Sequence, residues 1–284
     1  MIDLHTHSIH SDGTETPTEL VQRARDTRLT AFAIADHDTV AGQEEALAAG
    51  KKTGVRMISA IEMTVDFYGG HIHVLGYGFD LHDAHLSAAL GKRAEERRIQ
   101  FYEKVSLAND RLRAAGKGTL DADALLDSIQ GSPGRPHIAR AIVERGWEPT
   151  FRKAFDAYLL DYAPTSPALS PSEAIGLIHR AGGFTSLAHP GSDEIGLRRC
   201  AKNKTEEREA FAELIASGLD AVEAYTPAHS QLLINNYLSL AKDFNLLITG
   251  GTDWHGPSFD APAPGEFEIP DSILDHVLQA INKG

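Results

Sequence analysis

Short apolar runs recur along this chain, and nearly every one is followed at once by a histidine or a carboxylate before a helix signal begins. The run Ile2-Asp3-Leu4 leads into His5, His7 and Asp12. Thr16-Pro17-Thr18-Glu19 then supplies an N-cap, a proline at the first helical position and the glutamate of a capping box. That spacing predicts a helix to about Arg28. Ala31–Ala35 reads as a buried strand ending in Asp36-His37-Asp38, residues 40–53 as a helix, and Arg56–Ala60 as a third strand leading to Glu62. A βαβαβ order makes a mostly parallel sheet covered by helices, either open or closed into a barrel. Periodicity does not choose between the two.

Met63–Phe67 and Ile72–Tyr77 flank Tyr68-Gly69-Gly70 and predict a hairpin that carries His73. From about Asp80 to Tyr162 the strand signal gives way to helices rich in Arg, Glu and Ala. The charge run from Lys92 to Arg98 reads there as a solvated helix face. Strand and helix then alternate again. Ser170-Pro171-Ser172-Glu173 is a second capping box, Gly182-Gly183 a helix stop, and Phe184–Ala188, Ala221–Ala224 and Leu246–Thr249 are strand candidates leading to His189, to Glu223, and to Asp253 and His255. The expected organisation is therefore an α/β unit of residues 1–79 and 163–284, interrupted by a helical insertion at 80–162.

Barrel enzymes gather their chemistry at the carboxyl ends of the strands, and the polar clusters fall there repeatedly. In extended chain Asp3, His5 and His7 leave the same face, so two imidazoles can converge on one ion. Together with Asp36-His37-Asp38 and Asp253-Trp254-His255 they make a metal centre the natural expectation. Every candidate ligand is an imidazole nitrogen or a carboxylate oxygen, which suits zinc, manganese or iron. Nine such ligands exceed the needs of one ion and suffice for two or three sharing a carboxylate, with Glu62 as the natural bridge. Arg135-Pro136-His137, opening a helix in the insertion, would set a guanidinium and an imidazole where a phosphate is favoured. His229, a few residues past a strand end, is a comparable candidate. His10, His71, His82, His85, His179 and His276 show no such grouping.

Other nucleophiles fare worse. The chain has no Gly-x-Ser-x-Gly elbow, no Walker loop and no Gly-x-Gly-x-x-Gly after the first strand, and the single Cys200 sits in a charged stretch with no histidine close in sequence. One cysteine also excludes a disulfide scaffold and a thiolate metal site, and a reducing cytoplasm fits. The polar residues that follow Met1 leave no room for a signal peptide, and no apolar run has the length of a membrane span. A formal net charge of −13 disfavours binding to long duplex nucleic acid. Metal-activated water is the remaining nucleophile.

The motifs Asp3-Leu4-His5-Thr6-His7 with Ser11-Asp12-Gly13, Asp36-His37-Asp38, Glu62, His73, His189-Pro190 and Gly251-Thr252-Asp253-Trp254-His255 resemble, in order, those of the polymerase-and-histidinol-phosphatase (PHP) metallohydrolases. The resemblance implies a distorted (β/α)7 TIM-like barrel with a trinuclear centre. By it His5, His7, Glu62 and Asp253 hold one ion, Glu62, His73 and His189 a second, and Asp12, His37 and His255 a third. Asp12 stands where some relatives have histidine, which favours manganese or iron over zinc. The helical insertion with Arg135-Pro136-His137 resembles the branch that removes the 3′-phosphate of nucleoside 3′,5′-bisphosphates, whose members are similar to exonucleases trimming short 5′-phosphorylated RNA. Arg135, His137 and His229 would then contact substrate phosphate, His137 or His229 would protonate the leaving oxygen, and a metal-bridging hydroxide would attack. The expected partner is a small anionic nucleotide or short oligonucleotide. A histidinol or sugar phosphatase is the alternative within this chemistry, and a non-hydrolytic metal- and nucleotide-binding module the alternative outside it.

Overall fold

The computed structural model describes residues 1–160, 168–193, 195–201, 203–259 and 261–282. The first third has the expected order: β1 (Ile2–Asp3), α1 (Pro17–Asp26), β2 (Ala31–Phe32), α2 (Gln43–Thr53) and β3 (Arg56–Met57), with the strands parallel in the order β1-β2-β3. The Thr16 capping box forms with both of its reciprocal hydrogen bonds. β4 (Ala60–Phe67) and β5 (Gly70–Tyr77) make the hairpin. Its two-residue turn places Tyr68 and Gly69 at φ of 50° and 73°, as a type I′ turn requires.

Four helices follow, α3 (Ala84–Ala114), α4 (Ala122–Asp127), α5 (Arg135–Glu144) and α6 (Phe151–Tyr158). Asp83, Asp121 and Thr150 cap α3, α4 and α6 through their side chains. The rest comprises α7 (Pro171–Arg180), β6 (Phe184–Leu187), α8 (Leu197–Cys200), α9 (Lys204–Ala216), β7 (Ala221–Tyr225), α10 (Gln231–Phe244), β8 (Leu247–Gly250) and α11 (Ser272–Ile281). A second sheet runs β4-β5-β6-β7-β8, antiparallel as far as β6 and parallel beyond it.

The early strands are shorter than their apolar runs because the chain changes partner beyond them. After β2 the backbone leaves β3 and bonds to β4, with Asp38 N donating to Glu62 O at 2.9 Å and Glu62 N to Asp36 O at 3.3 Å. After β1 it bonds to the segment following β8: Asp253 N donates to His5 O and His7 N to Trp254 O, each at 2.8 Å. Each seam between the sheets thus carries a ligand-bearing segment on both sides.

Inside the sheets, Ile2, Leu4, Ala31, Ala33, Tyr77, Phe184 and Ala221 belong to one buried cluster, so both sheets share a core. The start of α3 sends Leu86 and Leu90 into a core shared with β4, β5 and α7, whereas the rest of α3 packs with α4–α6 around Phe101, Leu112, Ile138, Ile142 and Tyr158, in a cluster drawn wholly from residues 101–160. The boundary expected at 162/163 lies outside the described residues. The solvated reading of the Lys92–Arg98 run needs correction. Lys92, Glu95 and Arg98 are exposed, but Arg93 and Arg97 are buried because they sit on the face of α3 turned to Asp38. No described helix is long and apolar enough to cross a membrane.

Candidate metal centre

The strand-end residues come together around Glu62, which is fully buried at the start of β4. His5 Nε2 and His7 Nε2 lie 3.2 Å apart, each 3.3 Å from a Glu62 oxygen, and Asp253 Oδ1 is 3.4 and 3.1 Å from them. His73 Nδ1 and His189 Nε2 lie 2.9 and 3.0 Å from Glu62 Oε1 and 3.3 Å from each other. His37 reaches both ways, with Nδ1 2.9 Å from Glu62 Oε2 and Nε2 3.6 Å from Asp12 Oδ2, while His255 Nε2 lies 3.2 Å from Asp12 Oδ1. Donor atoms sharing one ion with bonds of roughly 2.1 Å stand about 3.0–3.4 Å apart, the separations seen here. Among the described residues three groups could hold an ion: His5/His7/Glu62/Asp253, His37/Glu62/His73 and His7/Asp12/His37/His255.

A metal fits these residues for a further reason. Asp12 Oδ1, His37 Nδ1, Glu62 Oε2, His189 Nδ1 and Asp253 Oδ1 are buried without a hydrogen-bond partner. Unpaired buried polar atoms are costly, and cations at the cluster would satisfy those of Asp12, His37, Glu62 and Asp253. The electrostatics agree. Burial pushes the His7 imidazole down, yet the Asp253 and Glu62 carboxylates beside it win and raise it to about 10. Burial likewise opposes His5, but Glu223, Glu62 and Asp253 hold it well above the ordinary histidine range. Glu62 is held well below the carboxylate range, against its burial, by His73, His37 and His5. The carboxylates thus demand positive charge, which divalent cations would supply in place of protons.

A layer of carboxylates behind the ligands fixes them. Asp36 accepts from Ser8 N, Ser8 Oγ and Ser11 Oγ at 2.6–2.7 Å, holding the loop after His7, so it does not join His37 as a ligand. Asp3 likewise stands behind the ligands, accepting from Thr252 Oγ1 at 2.7 Å and Thr252 N at 3.0 Å. Glu223 on β7 accepts from His5 Nδ1 at 3.1 Å and from His189 N at 2.8 Å, tying ligands far apart in sequence. Gly251 allows this closeness, since a Cβ there would stand 2.2 Å from that of His5. Asp38, His189 and Asp253 hold left-handed backbone at φ of 51°, 27° and 55°. Such strain in non-glycine residues gathers at functional sites.

The ligands face a cavity of about 710 Å³ that is also lined by Arg93, Arg97, Lys104 and Arg135. Arg97 Nη1 donates to Asp38 Oδ2 at 2.6 Å, with Arg93 Nη2 3.7 Å from the same oxygen. Burial, with Arg97, Arg135 and Arg93 nearby, brings the Lys104 ammonium down to about 7. Gly134, Arg135 and Pro136 bring the start of α5 to the cavity. His137 Nδ1 accepts from Gly134 N at 3.2 Å as a helix cap, and burial, only partly offset by Asp12, lowers it to about 4, so it is neutral at pH 7. His229 is also placed differently from expectation. Nδ1–H donates to Ala224 O and Nε2 accepts from Gly191 N, both at 2.9 Å, which leaves neither ring nitrogen for substrate. Conversely His71, which sequence left ungrouped, lines the cavity with Nδ1 2.7 Å from Asp66 Oδ1.

The model of the PHP domain matches residues 3–159, more than half of the chain. The chain belongs to the PHP family. It is 30% identical over 260 residues to a 3′,5′-nucleoside bisphosphate phosphatase of Chromobacterium violaceum, covering 90% of this chain and 87% of the relative. It is 32% identical over 279 residues to a 5′-3′ exoribonuclease of Haemophilus influenzae, covering 96% of each. A solved structure from Bifidobacterium adolescentis, described as a metal-dependent phosphoesterase, superposes with a TM-score of 0.84 at 30% identity, over 98% of this chain and 96% of that one. This PHP protein is a metal-dependent phosphoesterase, and its His/Asp/Glu groups could hold metal ions.

Proposed function

We propose that the protein removes a phosphate from a small nucleotide, foremost the 3′-phosphate of adenosine 3′,5′-bisphosphate to give AMP, with short 5′-phosphorylated RNA as a further substrate. The observation that carries this reading is the presence, in one cavity, of the Glu62-centred ligand cluster and a basic wall of Arg93, Arg97, Lys104 and Arg135. One wall suits a reacting phosphate and the other a second one. The names of the Chromobacterium and Haemophilus relatives agree with a nucleotide ligand. Enclosure of the basic residues in a cavity, on a chain of net charge −13, favours a short ligand over a long duplex.

We assign His5, His7, Glu62 and Asp253 to one ion, Glu62, His73 and His189 to a second, and Asp12, His37 and His255 to a third, with manganese or iron preferred. Divalent cations held there would lower the pKa of water toward neutrality and stabilise charge on the phosphoryl oxygens. Asp3, Asp36 and Glu223 hold the ligand segments in register. Arg135 neutralises non-reacting phosphate oxygens from the start of α5. His229, with both nitrogens on backbone groups, drops out as an acid or a phosphate contact. His137, neutral and capping α5, serves to shape that helix start. We read the two sheets as one distorted (β/α)7 barrel and residues 80–162 as an insertion that supplies the basic wall.

The test is phosphate release from adenosine 3′,5′-bisphosphate with added manganese, set against histidinol phosphate. Preference for the nucleotide and loss of turnover in Asp253→Asn are expected. Preference for histidinol phosphate would move the assignment to the other phosphatase class, and tight nucleotide binding without turnover under any divalent metal would make the protein a binding module.

A further inference from the structure

Between the metal ligands and the basic wall, the cavity has an apolar side that neither accounts for. The His255 ring lies 5.0 Å from that of Phe259, Phe259 lies 4.5 Å from Phe151, and Phe151 lies 5.9 Å from Phe155, centroid to centroid. Arg135 Cζ then stands 4.9 Å over the Phe155 ring. All five side chains line the cavity. The rings therefore form one continuous strip, from a proposed metal ligand at one end to a guanidinium at the other. Phe259 comes from the segment after β8 and Phe151 from the first turn of α6, so the strip bridges the strand-end wall and the helical one. Phe151 and Phe259 are only partly buried, unlike the fully enclosed Phe101 at the centre of the helical cluster. A wholly ionic ligand gains little from such a surface. A flat aromatic group gains stacking on either ring.

We propose that Phe259 and Phe151 form the platform on which the base of a nucleoside phosphate stacks, and so select nucleotides over other phosphate esters. This rests on the nucleotide reading above. With Phe259 beside His255, a phosphate held at the ligand cluster leaves its own nucleoside next to the ring, and a second phosphate is directed along the strip to Arg135. Aromatic stacking of one base is worth about 1–3 kcal/mol, or roughly 5- to 150-fold in affinity. Discrimination of that size is expected to appear mainly in KM.

The experiment compares adenosine 3′,5′-bisphosphate with the abasic deoxyribose 3,5-bisphosphate, using the manganese-loaded full chain and its Phe259→Leu, Phe151→Leu and Phe259→Tyr variants. Circular dichroism melting and bound manganese verify that each variant is folded and loaded. The wild type should show a KM about 5- to 150-fold lower for the nucleotide. That ratio should collapse toward one in both leucine variants and be retained in Phe259→Tyr, which keeps the ring. Full discrimination in both leucine variants would overturn the platform while leaving the nucleotide reading intact. Equal KM values in the wild type would show that the base is not held, again with the phosphatase reading standing. Turnover of neither compound by the loaded enzyme would overturn both.

Discussion

Two walls line the cavity, and they are built differently. The strand-end wall uses short side chains on strained backbone, pinned from behind by Asp36, Asp3 and Glu223. The helical wall uses long side chains on helices with a core of their own, joined to the strands by the contact of Asp38 with Arg97 and Arg93. A metal ligand has to be held within tenths of an ångström, and only short, doubly anchored groups do that. Recognition of a phosphate tolerates longer arms. The molecule therefore concentrates its precision on one wall and its adaptability on the other.

The largest effect should come from the strand-end wall. Replacing the shared ligand in Glu62→Gln should lower kcat by roughly 10²–10³-fold or more, with manganese content falling alongside. Wild-type turnover in that variant would show that the reaction does not occur at this wall. Next comes the layer behind it. Glu223→Ala removes the acceptor of His5 Nδ1 and His189 N and should weaken manganese binding by about 10- to 100-fold, measured by competition with a fluorescent chelator. A lower melting temperature with unchanged manganese affinity would give Glu223 a purely structural part.

The contact between the walls should show in stability. Asp38 is fully buried, and burial alone would raise its pKa, but Arg97 and Arg93 hold it below the usual carboxylate range. Arg97→Met removes the nearer partner and should cost about 3 kcal/mol in urea unfolding, with part of the loss recovered in the double variant Asp38→Asn/Arg97→Met. If the single variant unfolds like wild type, the contact does not join the walls. The smallest effect belongs to Lys104. Its ammonium is charged below about pH 7 and loses its proton above, because burial and the neighbouring Arg97, Arg135 and Arg93 disfavour the charged form. KM for an anionic substrate should therefore rise as pH passes upward through 7, by up to about tenfold, and Lys104→Met should flatten that rise. An identical profile in the variant would take Lys104 out of substrate binding.

The walls also differed in how readily the sequence revealed them. His5, His7 and the Asp253/His255 pair announce themselves because alternation along extended chain fixes which side chains share a face. The capping boxes at Thr16 and Ser170 were equally plain, being local patterns with local causes. On α3, by contrast, Arg93, Arg97 and Lys104 recur at helical spacing, and such a stripe has the same appearance whether it meets water or a cavity. His229 misled because its ring is claimed by Gly191, 38 residues away, through a contact that no spacing rule contains. Glu223 was visible as a strand-end acid, but its bond to His5 spans 218 residues and appears only when the sheets meet. Local chemistry was legible, and long-range closure was not.

The central claim is that Glu62 stands at the middle of a metal cluster which carries the reaction. Anomalous diffraction from manganese-soaked crystals tests it most directly. Peaks are expected within bonding distance of Glu62, His5, His7 and Asp253, with further density bounded by Asp12, His37 and His255. Manganese bound elsewhere, with the Glu62 carboxylate still bonded only to its histidines, would contradict it.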